Sequence, residues 1–396
     1  MKPFKILDAK PINYICLYHR LYSNDMKSLD DAIKKAGVSY GIKVGKSENI
    51  LMNSEKTDDW IDTIRTKLDT KQFNFVFILL DDYLQLEGFY SPLKKHSLET
   101  MGYPMQVILT NSLYKNTMSV VSNILLQANS KLGGSLFKIQ IPKEIKDKNL
   151  MVVGIDISAL KGQNKLNIAM CATTNPDLTE YYSSKTSVPI EQDGQTNINL
   201  CFNVSAFIHE AVMEFFKKNK SLPKGVIIYR QGVSKEQKAY LTDEVSSIEK
   251  MLAGKSENQL EQEIYARNPI PYYYILVNKK TSLKFFEKEK MYGKYEYHNP
   301  ECGLLILNDL TETDSFEFYV QPQKVNQGTA TPTNFHVAYG NLNMPEYIPK
   351  ITYDLCYMYS NWRGPVRVPA PLKYAEKLAK AEHTLHQNSK LKLYHL

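Results

Sequence analysis

The sequence predicts two α/β units in tandem, the first on a parallel sheet and the second in the strand–helix order of a ribonuclease-H-like sheet. Short apolar runs of strand length alternate with segments whose apolar residues recur at helical spacing. The rhythm changes after a polar, lysine-rich link at 142–149, where three strands in succession precede a long helix. The 396 residues suffice for two or three folding units at ~100–200 residues each. Their 43% hydrophobic content excludes a mostly disordered chain.

In order, residues 13–18 and 73–80 form buried strands, 106–109 a short one, and 29–36, 59–68 and 117–132 helices. Gly133-Gly134 stops the last helix. Beyond the link, 150–157 is a strongly apolar strand with Asp156 near its end, and 165–173 and 179–187 supply two more. An amphipathic helix at 206–218 precedes a buried strand, 225–229, that runs straight into Arg230-Gln231-Gly232. Residues 235–252 are helical, 272–277 and 316–321 are strands, and helices near 345–360 and 372–386 close the chain. The polar stretches 254–268 and 279–299 read as exposed loops. The domain boundary falls at 141/142, giving units 1–141 and 142–396.

The longest apolar run, Phe75–Leu80, is far short of the ~20 residues that cross a bilayer. Residues 1–10 mix apolar and charged side chains and build no signal-peptide core. The five cysteines, Cys16, Cys171, Cys201, Cys302 and Cys356, are scattered without a C-x-x-C pair. That predicts a soluble chain in a reducing compartment and argues against a zinc ribbon or disulfide scaffold. Net charge is +7, with Arg20, Arg65, Arg230, Arg267, Arg363 and Arg367 the only arginines among 49 basic residues. Lysine holds phosphate as a point charge, whereas arginine forks read base edges. A nucleic-acid partner would therefore be held by its backbone; a lysine-filled solvated surface is the alternative.

Tyr90 and Lys94 are four apart and share one face of a helix. Gln106 opens a strand, and Gln127, Asn129 and Lys131 end the helix before Gly133-Gly134. Lysines that neutralise a phosphate and a ring that stacks on a base suit a terminal nucleotide. On spacing alone a solvated helix face fits better than a pocket.

The stretch Gln127-Ala-Asn-Ser-Lys-Leu-Gly-Gly134 resembles the Q-x-N-x-K-L-G-G signature of the MID domain in Argonaute/Piwi proteins. Tyr90-Ser-Pro-Leu-Lys94 and Gln106 resemble that family's Y-x-x-x-K and following glutamine. Downstream, Gly154-Ile-Asp-Ile157, Tyr229-Arg-Gln-Gly-Val-Ser-Lys-Glu-Gln237, Gln327-Gly-Thr329 with Pro332-Thr333, and Asn361-Trp362 are similar to PIWI-domain blocks. Arg367-Val-Pro-Ala-Pro371 resembles the Piwi branch, and the ending Leu393-Tyr-His-Leu396 the family's hydrophobic C-terminus. The resemblance implies a Rossmann-like MID domain followed by a ribonuclease-H-like PIWI domain. It also implies a truncated or short form, since no N-terminal or PAZ-like segment precedes the MID-like half.

By that resemblance, Tyr90, Lys94, Gln106 and Lys131 hold the 5′ phosphate and first base of a guide RNA, with Gln127 and Asn129 beside them. The Leu396 carboxylate is expected there with a Mg²⁺ ion bridging it to the phosphate, and Arg367 at the guide backbone. Ribonuclease-H-like cleavage uses two metal ions held by carboxylates. Asp156 keeps the first position, but Gln231 stands in place of the second Asp, and Glu376 is the fourth residue. The finger glutamate falls near Asn199, with Glu191 or Asp193 as substitutes. Slicing is therefore expected to be lost. His383 and His386 form a pair too small for a metal site, His209 and His336 read as surface or groove residues, and Tyr272-Tyr-Tyr274 as core.

The expected function is a guide-RNA-binding, silencing protein that does not cut. An active guide-directed endonuclease and an RNA-free scaffold are the alternatives. Expected partners are a single-stranded guide RNA, its complementary target and silencing or RNA-processing proteins, with no membrane, in the cytoplasm or nucleus.

Overall fold

The computed structural model describes residues 6–81, 88–160, 162–191, 195–233, 238–255, 258–307, 316–325, 327–390 and 392–396. The chain divides into two compact units, one of Met1–Lys138 with Ala381–Leu396, the other of Ile139–Lys380. The final segment, read from sequence as part of the second domain, is tied instead to the first unit. The His386 N–H donates to Leu98 O at 2.7 Å, and the Thr384 N–H to Glu99 Oε1 at 2.6 Å.

The first unit runs β1 (Ile12–His19), α1 (Ser23–Tyr40), β2 (Val44–Met52), α2 (Thr57–Asp69), β3 (Phe75–Leu80), α3 (Tyr90–Lys95), β4 (Met105–Leu109) and α4 (Thr110–Lys131). Its sheet has the order β2-β1-β3-β4 and is parallel throughout. A parallel sheet with both faces covered needs apolar residues at every position of its inner strands. All six residues of β3 are buried accordingly: Phe75, Phe77 and Leu79 pack with one core cluster, Val76, Ile78 and Leu80 with the other. The edge strand β2 escaped the sequence reading because Gly45-Lys-Ser-Glu-Asn49 is polar and largely exposed.

The second unit opens with α5 (Lys143–Lys146), then β5 (Leu150–Ala159), β6 (Lys165–Thr173), β7 (Tyr181–Pro189), α6 (Gln195–Asn219), β8 (Gly225–Gln231), α7 (Lys238–Leu252), α8 (Gln259–Tyr265) and β9 (Tyr272–Asn278). There follow β10 (Glu287–Met291), β11 (Lys294–His298), β12 (Leu304–Leu307), β13 (Phe316–Gln321), β14 (Thr333–Gly340), α9 (Ile348–Leu355) and α10 (Ala370–Ala379). The eight-stranded sheet has the order β12-β13-β14-β9-β8-β5-β6-β7. Strands β5, β8 and β9 run parallel at its centre, β6 pairs antiparallel with β5, and β7 antiparallel with β6.

Four sequence readings are corrected here. The stretch 254–268 contains α8, whose Tyr265 is fully buried, and 279–299 contains the hairpin β10–β11. That hairpin is exposed along β11, so it carries no apolar alternation to betray it. The helix read at 206–218 begins eleven residues earlier, at Gln195, and the one read at 372–386 stops at Ala379. His383 and His386 therefore lie beyond it. Tyr272, Tyr273 and Tyr274 are buried as expected. Among the described residues no helix is long and apolar enough to cross a membrane.

One glycine sets the geometry of the second unit's site. A Cβ on Gly154 would lie 2.1 Å from Leu372 N and 2.4 Å from Pro371 C, so only glycine lets the start of α10 lie against β5. From that contact, Asp156 is two residues along the strand and Glu376 one turn along the helix. Two strand residues span ~6.6 Å and four helical ones ~6 Å, so both carboxylates arrive at the same level.

Candidate functional site

In the first unit, Lys131 at the end of α4 is 1% exposed, and its Nζ donates to Met105 O and Gln106 Oε1, both at 2.7 Å. Lys94 on α3 is 7% exposed and donates to Tyr394 O at 3.0 Å. Tyr90, one turn earlier, is 42% exposed. Burying an ammonium is costly unless oxygens replace its water, and here backbone carbonyls and an amide do so. Leu396 is buried in the same unit as part of the segment anchored by Lys94 and Leu98. Lys392, which the sequence reading missed, has its Nζ 5.9 Å from the Tyr394 ring centre. Burial pulls its ammonium down, and the neighbouring charge of Lys10 adds to this.

Asn129 has a structural task of its own. It is fully buried, its Oδ1 accepts from the Lys10 N–H at 2.8 Å, and its Nδ2 donates to Asp8 O at 3.1 Å. Gly134 is tied to the same arrangement, since a Cβ there would come within 2.6 Å of both Asn129 and Asp8 O. The Q-x-N-x-K-L-G-G run thus clamps the chain's entry into the unit as well as placing Lys131. Gln127 is half-buried.

In the second unit, Asp156 and Glu376 are 3% and 5% exposed. Gln231, ending β8, donates from Nε2 to Asp156 Oδ1 at 3.1 Å, and its Oε1 is buried without a partner among the described residues. Burial pushes the Asp156 carboxyl up, and the Glu376 charge pushes it further, against the pull of Arg230 and Lys279. Glu376 is ringed by three lysines: Lys380 at 2.8 Å, Lys279 at 3.0 Å and Lys373 at 3.1 Å. Burial would raise its carboxyl, but the lysines outweigh this and hold it at about 2. A cavity of about 640 Å³ opens beside Asp156, Gln231, Lys279, Lys280 and Lys380. Among the described residues, no group of three or more His, Cys, Asp or Glu side chains is gathered to hold a metal.

Asn199 lies inside α6, its Oδ1 accepting from Gln195 Nε2 at 3.2 Å, and Glu191 is exposed before that helix. Asp193 lies outside the described residues. Arg367 donates from Nη2 to Lys279 O at 2.5 Å and Thr331 O at 3.3 Å, which fixes the Lys279 backbone. His209 meets the Tyr265 hydroxyl at 3.1 Å, and His336 lines the cavity. Behind Gln231, Arg230 is bonded to Glu244 at 2.9 and 3.1 Å, and Glu244 also accepts from Tyr240 and Tyr274.

The depressed Glu376 carboxyl makes stability depend on pH. A folded value of about 2 against an ordinary 4.5 means that its contribution is complete above 4.5 and disappears as pH falls through 2. Wild type should exceed Glu376→Gln by no more than about 3 kcal/mol at pH 7. Urea melts of both proteins between pH 7 and 2 should converge at the acid end; a difference unchanged by pH would contradict the charge assignment.

The family model for the Piwi domain matches residues 75–387. The chain is 30% identical over 382 residues to Piwi-like protein 1 of Gallus gallus, covering 94% of this chain and 41% of that protein. Its fold is similar to the crystal structure of Drosophila Piwi, with a TM-score of 0.82, 22% identity, and coverage of 100% of this chain and 52% of the other. It is also similar to Kluyveromyces polysporus Argonaute with a guide RNA: TM-score 0.79, 18% identity, 98% and 48% coverage. The chain belongs to the Piwi family. It spans about 41% of the length of that Gallus gallus relative.

Proposed function

We propose that this chain holds the 5′-phosphorylated end of a small guide RNA in its first unit and presents it to complementary RNA for silencing, without cutting the target. The observation that carries the reading is the buried Lys131–Gln106 pair, formed by the two motif residues that the family resemblance assigns to the guide's 5′ end. Lys94, buried beside the chain's last residues, supplies a second ammonium for a terminal phosphate. The exposed Tyr90 ring is available to stack on a first base. The Leu396 carboxylate offers the hard oxygen that Mg²⁺ prefers. It would hold that ion, which would offset phosphate charge there.

The absence of cutting rests on charge. Two divalent ions need several anionic oxygens. Here Asp156 accepts from a neutral amide, and Glu376 is already compensated by lysines. This donor set does not fit two divalent cations.

A competition between 5′-phosphorylated and 5′-hydroxyl RNAs of one sequence tests the reading. The phosphorylated strand should win by about tenfold or more, the worth of one charge-assisted contact. Equal affinities would favour the RNA-free scaffold.

A further inference from the structure

We infer that the lysines around Glu376 form a metal-free seat for an RNA phosphodiester, so that the former cleavage centre grips a paired strand with ammonium groups. The inference rests on the guide-binding reading above and assigns its second site a ligand and a sign of charge.

One carboxylate needs one counter-charge, yet Glu376 has three. Lys373 comes from its own helix at i−3, Lys380 from the C-cap of that helix at i+4, and Lys279 from the residue after β9. The surplus over Glu376 is two positive charges; at the cavity wall Lys279, Lys280 and Lys380 stand against two carboxylates, Asp156 and Glu317, which leaves one net positive charge there. Such crowding has a cost. Like charges gathered at the wall of a cavity lower their energy when an anion enters it. Lys279, Lys280 and Lys380 all line the 640 Å³ cavity beside Asp156. Arg367 holds Lys279 by its backbone carbonyl, which leaves the ammonium to be placed by charge. Lysine recognises phosphate without reading bases, so the seat suits a backbone of any sequence.

The consequence is an inverted sign. Where a carboxylate binds a metal that grips RNA, neutralising it weakens binding. Where it restrains surplus ammoniums, neutralising it strengthens binding. The test measures complementary target RNA on guide-loaded protein in Mg²⁺ and in EDTA, alongside a preformed RNA duplex on guide-free protein. Glu376→Gln should tighten target binding by about threefold or more, equally in both buffers. Lys279→Ala with Lys380→Ala should weaken it about tenfold and lower the salt slope by ~1–2, since two counterion-releasing charges are gone. That double variant keeps the Arg367 contact, and it decides the matter should Glu376→Gln fold poorly. Weaker binding by Glu376→Gln, loss in EDTA, or an unchanged double lysine variant would each overturn the inference. Should no guide load, the proposed function fails separately, and the duplex arm still reports on the seat.

Discussion

Replacing Lys94 and Lys131 together by alanine is expected to weaken binding of 5′-phosphorylated guide RNA by at least ~100-fold. Each charge-assisted contact contributes roughly 1.5–3 kcal/mol, and ~1.4 kcal/mol is tenfold. The two ammoniums are nearly excluded from water, so solvent screens them weakly. Both also hold structure, Lys131 at Met105 O and Gln106, and Lys94 at Tyr394 O. The decisive readout is therefore the ratio of affinities for phosphorylated and hydroxyl ends. It should collapse toward one in the double variant. A purely structural role would weaken both strands alike and leave the ratio intact.

Glu244→Ala should destabilise the second unit by about 3–5 kcal/mol, the typical cost of leaving a buried charge without its partner. Arg230 is 1% exposed and Glu244 fully buried, and the carboxylate accepts from Arg230, Tyr240 and Tyr274 at once. Burial pushes the Glu244 carboxyl up, but Arg230 and the hydroxyls hold it below its ordinary value. The alanine variant leaves the guanidinium in a dry core and frees the strand end that carries Gln231. Urea denaturation of the variant measures the loss; a change below about 1 kcal/mol would mean that the network is better solvated than its burial implies.

Sequence carried the sheet strands with apolar runs and missed those without them. Phe75–Leu80 and Gly225–Gln231 are buried almost throughout and announce themselves, whereas Val44–Met52 and the β10–β11 hairpin are polar strands held by backbone pairing. Asp156, Gln231 and Glu376 were picked out through motifs; Gln231 is hydrogen-bonded to Asp156 and the charge of Glu376 reaches it, with Gly154 admitting Leu372 at the start of the helix. The lysines on Glu376 were half legible. Lys373 and Lys380 stand at i−3 and i+4, a spacing readable along one helix; Lys279 follows a strand almost a hundred residues away and left no local sign. The structural bonds of Asn129 were illegible for a related reason. Its partners, Asp8 and Lys10, lie in an entry segment whose return to the end of α4 no periodicity records.

The measurement that tests a guide-holding, non-cutting Piwi-family protein most directly is a guided cleavage assay. Protein loaded with a 5′-phosphorylated guide is given a fully complementary RNA in Mg²⁺ or Mn²⁺, with Asp156→Ala as control. The expected result is a target bound but intact in both proteins. Gln231→Asp alone should leave it intact as well, because Glu376 stays compensated by its lysines and Asn199 stays neutral within its helix. Site-specific cuts that vanish with Asp156→Ala would contradict this and establish a rearranged, working nuclease.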